Sequence, residues 1–348
     1  IGVTTTSASI IDAIIETAAL AINPSLSDEE TEAVTVGVVV ALNKLSTDAR
    51  ASIDGTTQTI AAAGNVAVSA TDTSQIDAES KAPAIAVAVG LKADGSSVSV
   101  GVSAARNQID NELTARISGV ASVETTDGNV SVAVTEGATI DAKSTATAIS
   151  VAASLGDKAS AFSGGGATSL NRIFNKANAY IADTDVNAQG SGDVTLTATD
   201  TASITSLVRG IAVGVSLGTG QSKAYAIGVA IADNLIGKSD DPNQVRAYVE
   251  SSSVTTAGKF DISATADNTI DATISATSVA VALAQDGATA GSLAGVFARN
   301  IISTDVSAYI DGMSAANDPL MQITVNGTEG LSVVATDKSR LTVDAQAV

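Results

Sequence analysis

The chain has 348 residues, a formal net charge of −19, and neither Cys nor His. The missing Cys removes disulfides, thiolate metal sites and cysteine nucleophiles. The missing His removes the commonest general base and the commonest metal ligand, so a hydrolase triad of the usual kind is excluded.

The same acidity disfavours nucleic-acid phosphates and unassisted contact with anionic lipid, and it suits a long, soluble, self-repelling surface protein. Aromatic residues make up 2% of the chain and Trp is absent, yet 45% is hydrophobic, mostly Ala, Val and Ile. Such a composition fits thin, regularly stacked sheets better than a globular core built on large rings.

The chain begins at Ile1 rather than Met, which leads to the expectation of a processed product or a part of something longer. In Ser9–Ile22 the apolar residues Ile10, Ile11, Ile14, Ile15, Ala18 and Ile22 recur at helical spacing, and Pro24 follows. This pattern predicts a short helix, either an insertion between strands or a cover for an exposed sheet edge. Neither this run nor Val34–Leu42 is long enough to span a bilayer, and no signal peptide is apparent.

From Val34 onward the chain is repetitive. Asn43, Asn107, Asn171, Asn234 and Asn300 each close an apolar strand, at spacings of 64, 64, 63 and 66 residues. A second anchor follows each Asn: Ala51-Ser52-Ile53-Asp54, Ala115-Arg116-Ile117, Ala179-Tyr180-Ile181, Ala247-Tyr248-Val249 and Ala308-Tyr309-Ile310-Asp311. The fourth copy carries an apparent loop insertion at Asp240-Asp241-Pro242-Asn243-Gln244.

A third anchor is a turn feeding an alternating strand: Gly64-Asn65-Val66, Gly128-Asn129-Val130, Gly192-Asp193-Val194, Gly258-Lys259-Phe260 and, beginning a fifth copy, Gly330-Leu331. The units are therefore 64–127, 128–191, 192–257 and 258–328, with partial copies at 1–63 and 329–348. The last full copy is longest, through Met313–Leu320 with Pro319. Because the chain starts and stops mid-repeat, the array is expected to continue beyond it.

Within each unit a long strand pair stands out, as in Ile85–Val89 and Val98–Val102 joined by Gly90–Ser97. One face carries Val or Ile. The other carries Ala, Gly or Ser (Ala86, Ala88, Ser99, Gly101, Ala212, Gly214, Ala280, Ala282), and neither is charged. Something flat is expected on the small-residue face, either another sheet of the same chain or a neighbouring subunit, and a lateral contact between copies is one form of the latter.

No strand is followed by a long helical pattern, so the expected fold is all-β: a repetitive β-solenoid, parallel β-helix-like, of about 64-residue repeats. Each repeat supplies three coils of about 21 residues or two of about 32. The alternative is an antiparallel array in which segments such as Gly90–Ser97 are hairpin loops.

The consensus is a Gly-Asx-Val strand, an Ala-Thr-Asp step, an Ile-Asp-Ala segment, a Gly-rich strand pair ending in Asn, and Ala-Tyr-Ile-Asp. It resembles the long repeats of leukotoxin-type filamentous adhesins and related giant bacterial surface proteins. The likeness covers nearly the whole chain outside Ser9–Glu32 and is best at Gly192–Val254 and Gly258–Ile310. It implies a β-helical shaft, exposure at the cell surface, adhesion or filament formation, and no catalytic residues.

Site residues are few. The five Asn are expected to bond backbone groups left unpaired at solenoid turns. Asp183 with Asp185, and Asp240 with Asp241, are the best carboxylate pairs for weak Ca²⁺ binding, but neither matches an EF-hand or β-roll loop. Tyr180, Tyr248 and Tyr309 share one repeat position and form a ladder, or less readily a sugar platform. Thr-x-Thr units such as Thr195-Leu196-Thr197 do not recur at each repeat, which argues against an ice-binding face.

No cofactor and no enzyme activity are expected. The expected partner is the chain itself or neighbouring repeats of a longer chain, with no nucleic acid and no membrane insertion, in an extracellular setting. The alternative function is a carbohydrate-binding or polysaccharide-modifying β-helix protein.

Overall fold

The computed structural model describes residues 1–55, 57–312 and 322–348. The Met313–Leu320 extension lies outside the described residues. The chain runs through β1 (Gly2–Ser7), β2 (Ile10–Glu16), β3 (Ala19–Ser25), β4 (Thr31–Asp54) and β5 (Thr59–Ala62). A second turn follows with β6 (Val66–Asp72), β7 (Gln75–Gly90), β8 (Gly95–Ser118) and β9 (Ser122–Thr125). The third turn is β10 (Val130–Glu136), β11 (Thr139–Ser154), β12 (Lys158–Ala182) and β13 (Asp185–Ala188).

The fourth is β14 (Val194–Asp200), β15 (Ser203–Gly218), β16 (Gln221–Ile236), β17 (Asn243–Glu250) and β18 (Val254–Thr256). Then come β19 (Phe260–Ala266), β20 (Thr269–Leu283), β21 (Gly287–Ile302), β22 (Thr304–Asp311) and β23 (Ile323–Val325), and finally β24 (Leu331–Asp337) and β25 (Arg340–Ala347).

All named strands pair in parallel, in four sheets. The first stacks β1-β6-β10-β14-β19-β24; the second stacks β2 and β3 with β7, β11, β15, β20 and β25. The third joins β4, β8 and β12 with β16 and β17, then β21 and β22; the fourth is β5-β9-β13-β18-β23. The chain is thus all-β with stacked parallel strands, a β-solenoid. Val130 pairs with Val66 on one side and Val194 on the other, so one full turn consumes one 64-residue spacing. The expectation of two or three coils per spacing is corrected to a single wide coil.

The hairpin alternative is overturned as well. The segment after Gly90 links β7 to β8, which lie in different sheets and do not pair with each other. Among the described residues the antiparallel pairing outside named strands is the isolated bridge Lys238–Asp241, which closes the turn inserted between β16 and β17.

The predicted helix at Ser9–Ile22 is likewise corrected: these residues form β2 and β3, in continuous register along β7 (Ile10 on Gln75, Ala19 on Ala84). The spacing of Ile10, Ile11, Ile14 and Ile15 suits a helix, but β-branched side chains suit a strand equally, and the waiting edge of β7 decides. The break between β2 and β3 falls opposite Pro83, which has no N–H to offer the neighbouring strand.

In cross-section each coil has two parts. At the base, the first sheet, the fourth sheet and the nearer half of the third enclose large side chains such as Leu113, Ile117, Val132, Ile181, Leu196 and Phe260. A second cluster with Ile76, Ile109, Ile140, Ile173, Ile204 and Ile236 adjoins it. Beyond that the second and third sheets close to form a two-layer fin whose interior clusters are Ala alone, as in Ala33 with Ala86 and Ala88. The return from the third to the fourth sheet needs left-handed backbone in every coil: Gly55, Gly119, Asp183, Ser251 and Gly312 all have positive φ.

The small-residue face is the inside of this fin. Ala86, Ala88, Ser99 and Ala212 are fully buried against the other sheet of the same chain. The neighbouring-subunit expectation for that face is therefore corrected. The layers touch through backbone: a Cβ added at Gly101 would lie 2.7 Å from both the Ala82 and Thr147 carbonyl oxygens, and one at Gly165 would collide with the Ile211 carbonyl. Serines bridge the layers, Ser99 Oγ donating to the Ala84 carbonyl at 2.7 Å and Ser278 Oγ to the Ala226 carbonyl at 2.7 Å.

Gly101→Ala and Gly165→Ala are therefore expected to destabilise by ~1–3 kcal/mol through overpacking. Gly166→Ala, whose Cβ meets nothing within 4 Å, is expected to be neutral or stabilising. Melting midpoints of the three variants check this; equal shifts in all three would contradict close layer contact.

Candidate functional site

The five Asn are not at turns. They sit inside the long third-sheet strands, where fin meets base, and their side chains point inward. Each Nδ2 donates to the Oδ1 of the next: Asn43 to Asn107 at 2.8 Å, Asn107 to Asn171 at 2.8 Å, Asn171 to Asn234 at 2.7 Å and Asn234 to Asn300 at 2.7 Å. They satisfy one another rather than turn backbone, because in-register stacking brings identical amides together at the strand spacing.

Tyr180, Tyr248 and Tyr309 form a second ladder on the outer side of the base. Their ring centroids are 4.9 Å apart and the planes nearly parallel. The stack begins on Arg116, whose Nη1 donates to the Tyr180 hydroxyl at 3.1 Å while the guanidinium also pairs with Asp54. That contact holds the Asp54 carboxyl below the usual carboxylate range. Burial pushes the Tyr248 phenol up to about 12. Stacked rings cover each other's faces, whereas a sugar platform presents them.

The carboxylate pairs stay apart. Asp183 occupies the left-handed turn position and is exposed, as is Asp185 on the far side of buried Thr184. Asp240 and Asp241 are exposed in the inserted turn. Among the described residues no group of three or more Asp, Glu, His or Cys is placed to hold a metal ion.

A buried acid column is the feature that sequence reasoning missed. Asp72, Glu136 and Asp200 end the first-sheet strands, stack in register and are fully buried. Asp72 accepts from the Ser74 N–H and hydroxyl, both at 2.9 Å, and from Asn111 Nδ2 at 2.7 Å. Asn111 Nδ2 also reaches Glu136 at 3.0 Å. Asp200 collects Asn175, Asn243 and Asn268 amides at 3.0, 3.3 and 3.2 Å. The available signal was an acidic residue at the end of the alternating strand in three successive copies.

Burial raises the Glu136 carboxyl well above its ordinary range; the Asn111 amide opposes this, and the Asp72 and Asp200 charges add to it. Burial also raises Asp200, against the pull of its three amides. Glu136 Oε2 and Asn175 Oδ1 have no hydrogen-bond partner. A proton on Glu136 makes one of these two acceptors a donor and removes the central charge from a stack of three.

A raised folded-state value for an acid means the folded chain binds the proton more tightly than the unfolded chain. Its stabilisation is complete below the unfolded value near 4.5 and is lost as pH rises through the folded value. Stability measured from pH 4 to pH 8 is expected to fall with rising pH, and Glu136→Gln to flatten that slope and melt higher than the parent at pH 8. A parent slope of opposite sign, or one unchanged in Glu136→Gln, would remove Glu136 from this role.

The last element is the outside of the fin. On the second sheet, Ile22, Val87, Val151, Val215 and Val281 form one outward row, beside Leu20, Ile85, Ile149, Val213 and Val279. On the third sheet, Val36, Val100, Gly164, Ile227 and Leu293 form another, beside Val38, Val102, Gly166 and Val229. Val36 is 59% exposed, Ile227 38% and Leu293 64%. Towards the base the same faces turn charged, with Asp77, Glu79 and Lys81 on one and Lys44, Arg106 and Asp110 on the other. At the fin edge, Leu91, Leu155, Leu217 and Leu283 line an apolar groove of about 500 Å³.

No family model matches the chain, and no curated protein or solved structure matches it either. No helix among the described residues is long and apolar enough to cross a membrane.

Proposed function

We propose that this chain is a structural repeat segment of a secreted bacterial surface adhesin or extracellular filament, built of about 64-residue repeats and acting as a self-assembling scaffold. The observation that carries the reading is the uninterrupted parallel register from the first coil to the last, with Asn43 to Asn300 bonded end to end through its centre. What recurs in every coil is the means of stacking on the next. The bacterial and extracellular setting rests on the likeness of the repeats to those of filamentous adhesins.

The wide coil favours scaffold over slender shaft. Each coil adds only ~4.8 Å along the axis, while a 24-residue strand such as β8 has a contour of ~80 Å. Five coils are therefore a slab ~24 Å deep and much broader than that. The repeats enlarge the lateral faces far more than the length.

Antibody raised against the purified chain is expected to label intact, unpermeabilised cells of the source organism. Labelling that appears only after permeabilisation would overturn the reading.

A further inference from the structure

We propose that the outer apolar face of the third sheet is a lateral contact, covered by the same face of a second copy of this chain packed around a two-fold axis with fin edge over base. This deepens the scaffold reading and rests on it.

Parallel sheets are as a rule covered on both faces. Here the base obeys solvent, with charged outward residues, but Val34, Val36, Val38 and Val40 in β4 and Val98, Val100 and Val102 in β8 point outward with no charge among them. A covering partner must be flat, and its ridges must repeat at the strand spacing of this sheet. A second copy meets both conditions without adjustment, since its rows have identical spacing.

Charges bound this band and select the orientation. In the first coil Glu32 lies on the fin-edge side of the band and Lys44 on the base side. The midpoint of this pair is Val38, in one row with Val102, Gly166 and Val229. Turning a second copy about an axis along that row lays Glu32 over Lys44, with the opposite sign. Lys44 and Glu32 are both exposed, and the Asp110 partner of Lys44 at 2.8 Å leaves the lysine side chain 61% exposed.

The size of the band sets the strength. Five outward rows on five strands cover ~800 Å², about what one partner contributes to a standard interface. Association of this five-coil chain is therefore concentration-dependent, and it strengthens with each added coil. The net charge of −19 opposes a membrane as the cover, because acidic residues Asp28, Glu29 and Glu30 stand at the fin edge that would have to enter the lipid.

The test is sedimentation equilibrium of the purified chain from micromolar to submillimolar concentration, with circular dichroism confirming the fold of every variant. The parent is expected to reach a dimer. Val36→Lys with Val100→Lys should weaken association at least tenfold, and Val87→Lys with Val151→Lys on the opposite face should leave it unchanged. Glu32→Lys and Lys44→Glu should each weaken it, and the two together should restore it.

A folded parent that stays monomeric throughout, a loss caused only by the Val87 and Val151 variant, or a charge-reversed double variant that stays weak would each overturn the proposal. So would flotation of the parent with phosphatidylcholine vesicles that is lost in Val36→Lys with Val100→Lys, which would assign the face to lipid. If the dimer is absent while intact cells still label at their surface, the lateral contact falls and the scaffold reading stands.

Discussion

In-register parallel stacking is the constraint on which everything else in this molecule depends. Each backbone is hydrogen-bonded to the coil before and the coil after, so every side chain lies ~4.8 Å from a residue at the same repeat position. Like therefore meets like, and each residue type answers differently. Asn gains, because an amide both donates and accepts, and the Asn43–Asn300 ladder uses both atoms at each step. Tyr gains by stacking with near-parallel rings. Carboxylates lose, and the column of Asp72, Glu136 and Asp200 is tolerated only with amide donors inserted from the neighbouring wall and a raised protonation range at two of its members. Breaking such a column by removing an amide leaves a buried charge unpaired, which costs more than the bond it removes.

The same constraint explains the division into base and fin. Where three walls enclose space, the coil needs large side chains to fill it, and Ile, Leu and Phe260 recur there. Where only two walls face each other, close contact of backbones excludes anything larger than Ala or Ser. Gly101, Gly165, Gly210 and Gly228 each face a carbonyl oxygen that a Cβ would strike. Serine fits because its hydroxyl reaches the opposite carbonyl, replacing volume with a hydrogen bond.

Much of this was legible in the sequence, for a physical reason: a stacked fold must repeat, and repeats are visible. The spacings of the Asn and Gly-Asx-Val anchors are the pairing offsets of the sheets, and the residues Asp240–Gln244 read as an insertion lie in or beside the turn between β16 and β17. Coil number was not legible, because alternation marks a strand without saying where the chain bends between sheets. That the small-residue face takes a flat cover was legible, and another sheet of the same chain supplies it; that the Val face then stands outside was not, because it follows from the thinness of the fin. At Ile10–Ile22 the local pattern fits two structures, and the free edge of β7 chooses between them. The acid column escaped notice because an Asp or Glu ending a strand normally marks a solvated turn, and its burial depends on Asn111 and Asn175, 39 residues from their coil's own carboxylate.

The reversed fin carries a consequence for stability. Its interior, mostly Ala, Ser and Gly, removes little apolar area from water compared with the base, at ~25 cal/mol per Å² buried. Its larger side chains, which would return most on burial, stand outside. A fin in isolation therefore leans on backbone hydrogen bonds along the stack and on its attachment to the base, and it gains most when its outer faces are covered. Each added coil widens those faces by one strand while leaving the thin interior unchanged per coil. The coupling between number of repeats and lateral association is thus built into the geometry: a short array exposes a small band that associates weakly, and a long one presents a continuous apolar strip for which solvent is a poor neighbour.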